Sequence, residues 1–371
     1  MKRVAIIGGG LAGLAAAAAL EDRFDVLLYE TAATTDSEPL PLLFDPAADQ
    51  ATAALLRKLN LPTVPFVPSF GVARSDGPAL LVRKPNRIQG SWRPSRRVFA
   101  QALRAMAEAP QGERRSTEEW LRVAIPEQAV RETLIAPLAS AATGLADRRW
   151  QNLPLAELLA AWRAQGPGAA GASWSHVAGG ARAVHAALLR HHAQRLRLST
   201  RAVKLQRSPI GIDVLDSANG FERFDAVVLA LAPATSMQLL IDASVEERRA
   251  FGGFTFATRR IVLHDDARFA PADGTTIGVT RQAGTDMRSL TLGSGDEARF
   301  VSFDVPDLAL DGVHLDTTQP WIVPDSNGHA AQARLDSQQG RNRTWHVGTH
   351  LGDGTVRATI ETVTALANRL H

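Results

Sequence analysis

The chain contains no cysteine. That excludes disulfides, thiolate metal sites and a thiol nucleophile, and it leaves the redox compartment open. Long apolar runs are missing too: no stretch approaches the ~20 residues that a membrane-spanning helix requires. Nor is one sign of charge in excess. Lys and Arg number 41 against 38 Asp and Glu, a formal net charge of +3. A nucleic-acid partner would need a local basic patch at that balance, not a bulk field, and none is expected. Tyrosine is down to one residue, against seven tryptophans. Hydrophobic content of 45% and charged content of 21% exclude wholesale disorder. For 371 residues, a divisor of about 150 gives two domains. The start, Met1-Lys2-Arg3 and then apolar, resembles a secretory signal only superficially. Three glycines break its apolar core, and Glu21, Asp22 and Arg23 close it. A soluble, cytoplasmic protein without an integral membrane segment is expected; its oligomeric state is not legible.

The first thirty residues carry the clearest pattern. Val4-Ala5-Ile6-Ile7 reads as a strand buried on both faces. It runs into Gly8-Gly9-Gly10-Leu11-Ala12-Gly13, which fits G-x-G-x-x-G. An Ala-rich helix is expected from Leu11 to Leu20, then a second strand, Phe24 to Tyr29, ending in Glu30. Gly8 permits the tight turn, Gly10 lets a pyrophosphate approach the backbone, and Gly13 lets helix and strand pack closely. The helix start offers free N–H groups and a positive dipole end, so Leu11 and Ala12 join the candidate binding set. Glu30 is placed to accept hydrogen bonds from an adenosine ribose, and an acid there disfavours a 2′-phosphate. The competing reading is a nucleotide-free turn that needs its glycines only for packing.

Further on, helices are expected near 47–59, 98–107, 117–123 (with Thr117 as cap), 127–142 and 155–164. Strand signals occupy 66–82, 195–198, 202–207, 210–215 and 226–231. Ala164-Gln165-Gly166-Pro167-Gly168-Ala169-Ala170-Gly171 reads as a linker. The chain closes with a strand at 344–347, a glycine-rich turn from Gly348 to Gly354, and a helix from Thr355 to Leu370. That ending mirrors the beginning. The expected fold is therefore α/β: a discontinuous Rossmann-type domain (1–65, 174–235 and 340–371) interleaved with an α+β domain (66–173 and 236–339).

These pieces, with Trp174–Leu189, Arg223–Ala230 and Thr258–Asp266, resemble the amine-oxidase-like FAD-dependent oxidoreductases. Within that superfamily the pattern is similar to a bacterial NAD/FAD-binding branch related to phytoene desaturases, hydroxysqualene dehydroxylase and monoamine oxidases. The resemblance implies non-cysteinyl FAD as cofactor, in an FAD-binding domain beside a substrate domain. It implies that Gly8, Gly10, Leu11, Ala12 and Gly13 hold the pyrophosphate and that Glu30 holds the ribose. It implies that Val203 presents its backbone to the adenine. Gly348, Asp353, Gly354 and Val356 would lie by the ribityl chain and flavin, with the last helix directing its positive end at the ring. A plain C-terminal docking helix is the alternative for that element. Two departures stand out: the stretch Thr31–Glu38 lacks the family's G-G-R motif, and Thr349 stands where the family places an acid.

His185, His191 and His192 lack metal-face spacing and read as a solvated basic helix, so no metal is expected. Arg93, Arg96, Arg97 and Arg104 form a basic run that reads as a solvated face or a contact for an anionic partner. Trp174, Trp321 and Trp345 lie in segments that could reach a flavin or simply pack in the core. His350 is the candidate catalytic side chain, as a proton shuttle, against the plainer reading of a turn residue. The late half of the chain has only Lys204 as lysine. Since a lysine at the flavin is common in amine oxidases, this moves weight toward apolar substrates such as lipid or isoprenoid. The function expected is an oxidase or desaturase taking hydride from a small apolar, lipid-like or amine substrate. A flavin-depleted homologue, acting as a partner subunit or cofactor-independent enzyme, stands as the alternative.

Overall fold

β-Branched side chains at Val4, Ile6 and Ile7 suit a strand covered on both faces, and Arg3–Ile7 (β1) is buried after its first residue. In the computed structural model, all residues are described except 34–40, 74–78, 86, 91–95, 111–112, 114, 293–298, 324 and 371. β1 is the middle of a five-stranded parallel sheet. The order is Thr344–His346, Ala226–Leu229, β1, Asp25–Tyr29 (β2) and Leu196–Arg197. Helix Leu11–Leu20 (α1) makes the crossover that two parallel strands require. Apolar nearly all round, it packs against helices Gly180–His192 and Val356–Arg369 as well as the sheet.

The chain forms two compact units. The first comprises Met1–Val64, Ser175–Thr255 and Asn327–His371; the second comprises Pro65–Trp174 and Phe256–Ser326. Both are discontinuous in sequence. Residues 236–255 and 327–339, expected in the second domain, pack in the first unit. Leu239, Leu240, Ala250, Phe251 and Leu335 are buried there against Ile7, Leu205 and Val227. The first unit also carries a three-stranded antiparallel meander, Ala202–Ser208, Gly211–Asp216 and Phe221–Phe224.

The second unit is built on an eight-stranded mixed sheet. Its order is Leu315–Ile322, Phe256–His264, Arg299–Phe303, Thr285–Leu292, Ile277–Gln282, Phe70–Val72, Leu80–Lys84 and Arg87–Gln89. Residues 127–142 do not form the single regular helix expected. A π-helical stretch, Arg131–Ile135, interrupts them just before Pro137. Proline lacks an N–H and its ring crowds the carbonyl of the preceding turn, so the backbone widens there. The buried guanidinium of Arg288 donates to the carbonyl of Ala141 at the negative end of the helix that follows. Burial lowers the pKa of Arg288 to about 10.

Three local readings need correction. Ser116, not Thr117, caps helix Thr117–Ala124, in a reciprocal capping box with Glu119. The expected linker at 164–171 is a packed 3-10 turn: Pro167 and Ala169 are buried, and a Cβ on Gly168 would meet the Trp162 carbonyl at 2.9 Å. The histidine helix is not a solvated face, since His185 and His192 are buried. Glu21 accepts hydrogen bonds from Lys58, His191 and Arg195, and these contacts hold its carboxyl down near about 2 despite burial. Ligand-capable atoms of Glu21, His191 and His192 lie within 4.8 Å of one another. Lys58 and Arg195 already neutralise the carboxylate a cation would need.

Inside the first unit Arg207 and Glu247 form a buried pair at 2.6 Å, with Asp242 as a second, more exposed partner. Removing one member of such a pair strands the other charge. Glu247→Ala is therefore expected to lower stability by about 3 kcal/mol, read as a drop in urea midpoint.

Candidate functional site

All five strands of the parallel sheet point the same way, so β1 and strand Thr344–His346 release their following turns at one carboxyl edge. That edge is where open α/β sheets bind ligands. The two turns are Gly8–Gly13 and Gly348–Gly354.

In the first turn each glycine answers a different constraint. Gly8 has φ +109, and a Cβ there would meet the Ala230 carbonyl at 2.6 Å. A Cβ on Gly13 would lie 1.8 Å from the Gly8 carbonyl oxygen. Gly10 is unlike both. Its φ is −70, its surface is exposed, and no atom lies within 4 Å of where a Cβ would stand. It caps α1 without any side-chain acceptor, which leaves the helix start facing open space. This is a cradle that a pyrophosphate fits and a side chain would fill.

Glu30 closes the cradle. Its Oε2 accepts from the Gly9 N–H at 2.8 Å and its Oε1 from the Ala32 N–H at 2.9 Å. Each carboxylate oxygen keeps a further lone pair for a ribose hydroxyl. The backbone of Glu30 is tied in turn to Arg197 and Thr200. Val203 is 42% exposed on the meander, at a register irregularity between Ala202 and Lys204. The stretch expected to carry G-G-R falls largely in residues 34–40, outside the described residues.

In the terminal turn Gly348 has φ +142 and Gly354 φ +85, both in the region that favours glycine. The Asp353 carboxylate accepts from the Thr355 N–H, the Thr355 hydroxyl and Arg357. Thr355 then caps helix Val356–Arg369, whose first turn bears no acidic residue. Arg357 is shared among Asp353, Asp49 and Glu361. The Asp353 side chain is thus engaged in shaping the helix start, and what faces outward there is backbone. Two glutamines that sequence reasoning passed over hold the turn from behind. Gln332 donates to the carbonyls of His350 and Gly352, and Gln339 brackets the backbone of His346. Their signal is absent from the sequence because the helix that carries Gln332, and that Gln339 follows, is polar and unremarkable in composition.

His350 is buried, its ring packed edge-on against Phe254 at 5.3 Å. Burial pushes its pKa down to about 3, so it is neutral across the ordinary pH range. His346 behaves likewise against Phe251, with a pKa lowered by burial to about 4. Trp345 is partly buried against the first core, and Trp321 is engaged in the second unit, where the Arg259 guanidinium stands 4.7 Å over its ring. Arg259 also lines a cleft of about 310 Å³ in that unit, together with Arg149 and Arg260. All three are paired, to Asp304, Asp147 and Asp316, which leaves the cleft polar but without free charge.

Comparisons with known proteins agree with this geometry. Residues 6–35 match the NAD(P)-binding Rossmann-like domain, and residues 41–347 match the family described as flavin containing amine oxidoreductase. No curated protein matches the chain. Among solved structures, a putrescine oxidase double mutant has TM-score 0.73 and 15% identity, covering 99% of this chain and 98% of its own. Cyclohexylamine oxidase from Brevibacterium oxydans IH-35A has TM-score 0.70 and 17% identity, covering 100% and 99%. A CLA-producing fatty acid isomerase from P. acnes has TM-score 0.67 and 15% identity, covering 100% and 98%. At these identities the likeness is one of fold.

The two buried histidines make stability depend on pH. An imidazole titrates near 6.5 when unfolded but only at about 4 and about 3 in the folded chain. Unfolding therefore takes up protons below pH ~6.5, and stability falls from there down to the folded values. Each histidine contributes about 1.4 kcal/mol per pH unit inside that window. Urea midpoints should drop between pH 7 and 5, and less so in His350→Phe; equal slopes for the two proteins would contradict the assignment.

Proposed function

The chain belongs to the flavin containing amine oxidoreductase family and is an FAD-dependent oxidoreductase; on that premise we propose that it removes a hydride from a C–H bond of a small lipid or isoprenoid substrate. FAD supplies hydride acceptance when bound. The chain supplies binding and orientation. Backbone N–H groups at Gly10, Leu11, Ala12 and Gly13 receive the pyrophosphate, with Gly8 shaping the turn. Glu30 takes the ribose and the backbone at Val203 the adenine. Gly348, Asp353, Gly354 and Val356 lie at the flavin end, and with no cysteine present the attachment is non-cysteinyl. His350 is neutral in this reading, and the burial that lowers its pKa to about 3 makes it a weak proton acceptor.

The observation that carries the reading is the open, uncapped cradle at Gly10. The substrate class rests on a separate fact, that no lysine occurs after Lys204. An amine oxidase with a lysine at its flavin would need one there. No helix among the described residues is long and apolar enough to cross a membrane, which is compatible with the cytoplasmic location proposed here.

The purified protein should be yellow, absorbing at about 450 nm as bound flavin does. Gly10→Val separates cofactor binding from folding, because its backbone suits any residue and the Cβ meets nothing. The variant should keep its circular dichroism and urea midpoint while losing on the order of 100-fold in FAD affinity, as charge-assisted hydrogen bonds are blocked. Gly13→Ala should instead lose stability outright. A Gly10→Val protein as yellow as its parent would mean the fingerprint holds no pyrophosphate. For the substrate, anaerobic bleaching of the flavin band by isoprenoids or unsaturated fatty acids is expected. Faster bleaching by putrescine or cyclohexylamine would assign an amine substrate instead.

A further inference from the structure

Between Asp76 and Glu108 the sequence contains no acid, while Arg83, Lys84, Arg87, Arg93, Arg96, Arg97 and Arg104 fall in that interval. Arg93 lies outside the described residues. The structure gathers the others on one part of the second unit. Strands Leu80–Lys84 and Arg87–Gln89 form a hairpin at the end of the eight-stranded sheet, and helix Arg96–Glu108 packs on its outer strand. Arg96 ties helix to hairpin by donating to the Gly90 carbonyl at 3.0 Å.

Three features mark this concentration of cations. First, Lys84, Arg87, Arg96, Arg97 and Arg104 are all exposed, and none has an ion pair among the described residues. Other exposed arginines are matched to carboxylates, as Arg122 is to Glu118 and Arg249 to Glu246. Second, Lys84 and Arg87 face each other directly in the register of the hairpin. Like charges in that position are destabilising, so the isolated fold gains nothing from them. Third, Arg97 and Arg104 are two turns apart on the helix and share its solvent face, while Phe99, Ala102, Leu103 and Met106 bury the opposite one. The core is thus satisfied without the arginines.

We infer that this hairpin and helix form a docking surface for an anionic lipid bilayer, held by arginine contacts to headgroup phosphates. Guanidinium groups suit phosphate oxygens geometrically, and a row of them on one face matches a plane of negative charge. Single-stranded nucleic acid is the poorer match. Its recognition uses exposed aromatic platforms, and the aromatic side chain in the described part of this surface, Phe99, is buried, while Trp92 lies outside the described residues. The inference stands independently of the flavin site; an apolar substrate would reside in the same bilayer.

The test is co-sedimentation of the intact protein with vesicles of phosphatidylcholine alone or with about 30% phosphatidylserine. Binding is expected only to the anionic vesicles, and it should be lost at about 0.5 M salt. Arg97→Gln with Arg104→Gln should weaken it about 25-fold, at roughly fivefold per cation. Both residues are exposed and unpaired, so circular dichroism and flavin absorbance should not change. Arg122→Gln with Arg249→Gln removes equal charge from paired positions and should leave binding as it was. No binding to anionic vesicles, equal binding to neutral ones, or equal weakening in the two double variants would overturn the inference. So would tighter binding to duplex DNA at the same ionic strength, which would assign the surface to nucleic acid.

Discussion

One backbone contact governs the first unit. Gly13 sits against the carbonyl of Gly8 so closely that a Cβ would come within 1.8 Å of its oxygen. Because of that approach α1 lies down on the sheet at once, and its first N–H groups come to the carboxyl edge. The consequences spread outward from there. α1 can be apolar around almost its whole circumference because the sheet, helix Gly180–His192 and helix Val356–Arg369 all cover it. Glu30, at the end of the neighbouring strand, can reach the Gly9 N–H. The last strand joins the same sheet in parallel, which brings a second glycine turn to the same edge. Two glycine turns from distant parts of the chain thus share one sheet edge, which follows from how tightly one helix meets one strand.

Around that frame the protein spends its charges in two ways. Inside the first unit they are knotted together: Glu21 ties its own helix end to two other segments, through Lys58 and through His191 and Arg195, and Arg207 is enclosed by Glu247 and Asp242. In the second unit Asp286 is buried yet accepts from Ser140, Arg148 and Arg281. Charges buried like this bring geometric constraint more than net stability. The hairpin and helix at the sheet's end, without an acid until Glu108 closes the helix, follow the opposite rule, with cations left facing solvent and facing one another. A chain whose overall charge is only +3 therefore carries a surface of strongly one-signed charge. Bulk composition averages that surface away.

The histidines show how far burial can depart from composition. Arg190, His191 and His192 look like the polar end of a surface helix when written as a string. Yet His192 has no exposed surface, and burial lowers its pKa to about 4. His346 and His350 lie in a strand end and a glycine-rich turn, and both are packed against phenylalanines from a helix and a loop some ninety residues earlier. None of the three is available as a surface cation.

What was legible in the sequence was local. Gly8, Gly10, Gly13 and Glu30 are spaced by the geometry of two strands, one turn and one helix, so their order alone specifies the unit they build. The helix bounds Leu11–Leu20 and Leu155–Ala164 follow from runs of helix formers between breakers. The tertiary structure decided what depends on partners far along the chain. Helices at 233–251 and 326–338 join the first unit because their apolar faces meet the underside of the parallel sheet. The apparent linker is packed, because Trp162 offers a backbone surface that only glycine can approach. Gln332 holds the terminal turn, and Gln339 the strand end before it, through carbonyls that no sequence pattern around them announces. Sequence spacing encodes contacts made within a turn or two of the backbone; contacts across the sheet are set by which faces are left apolar once the chain has folded back.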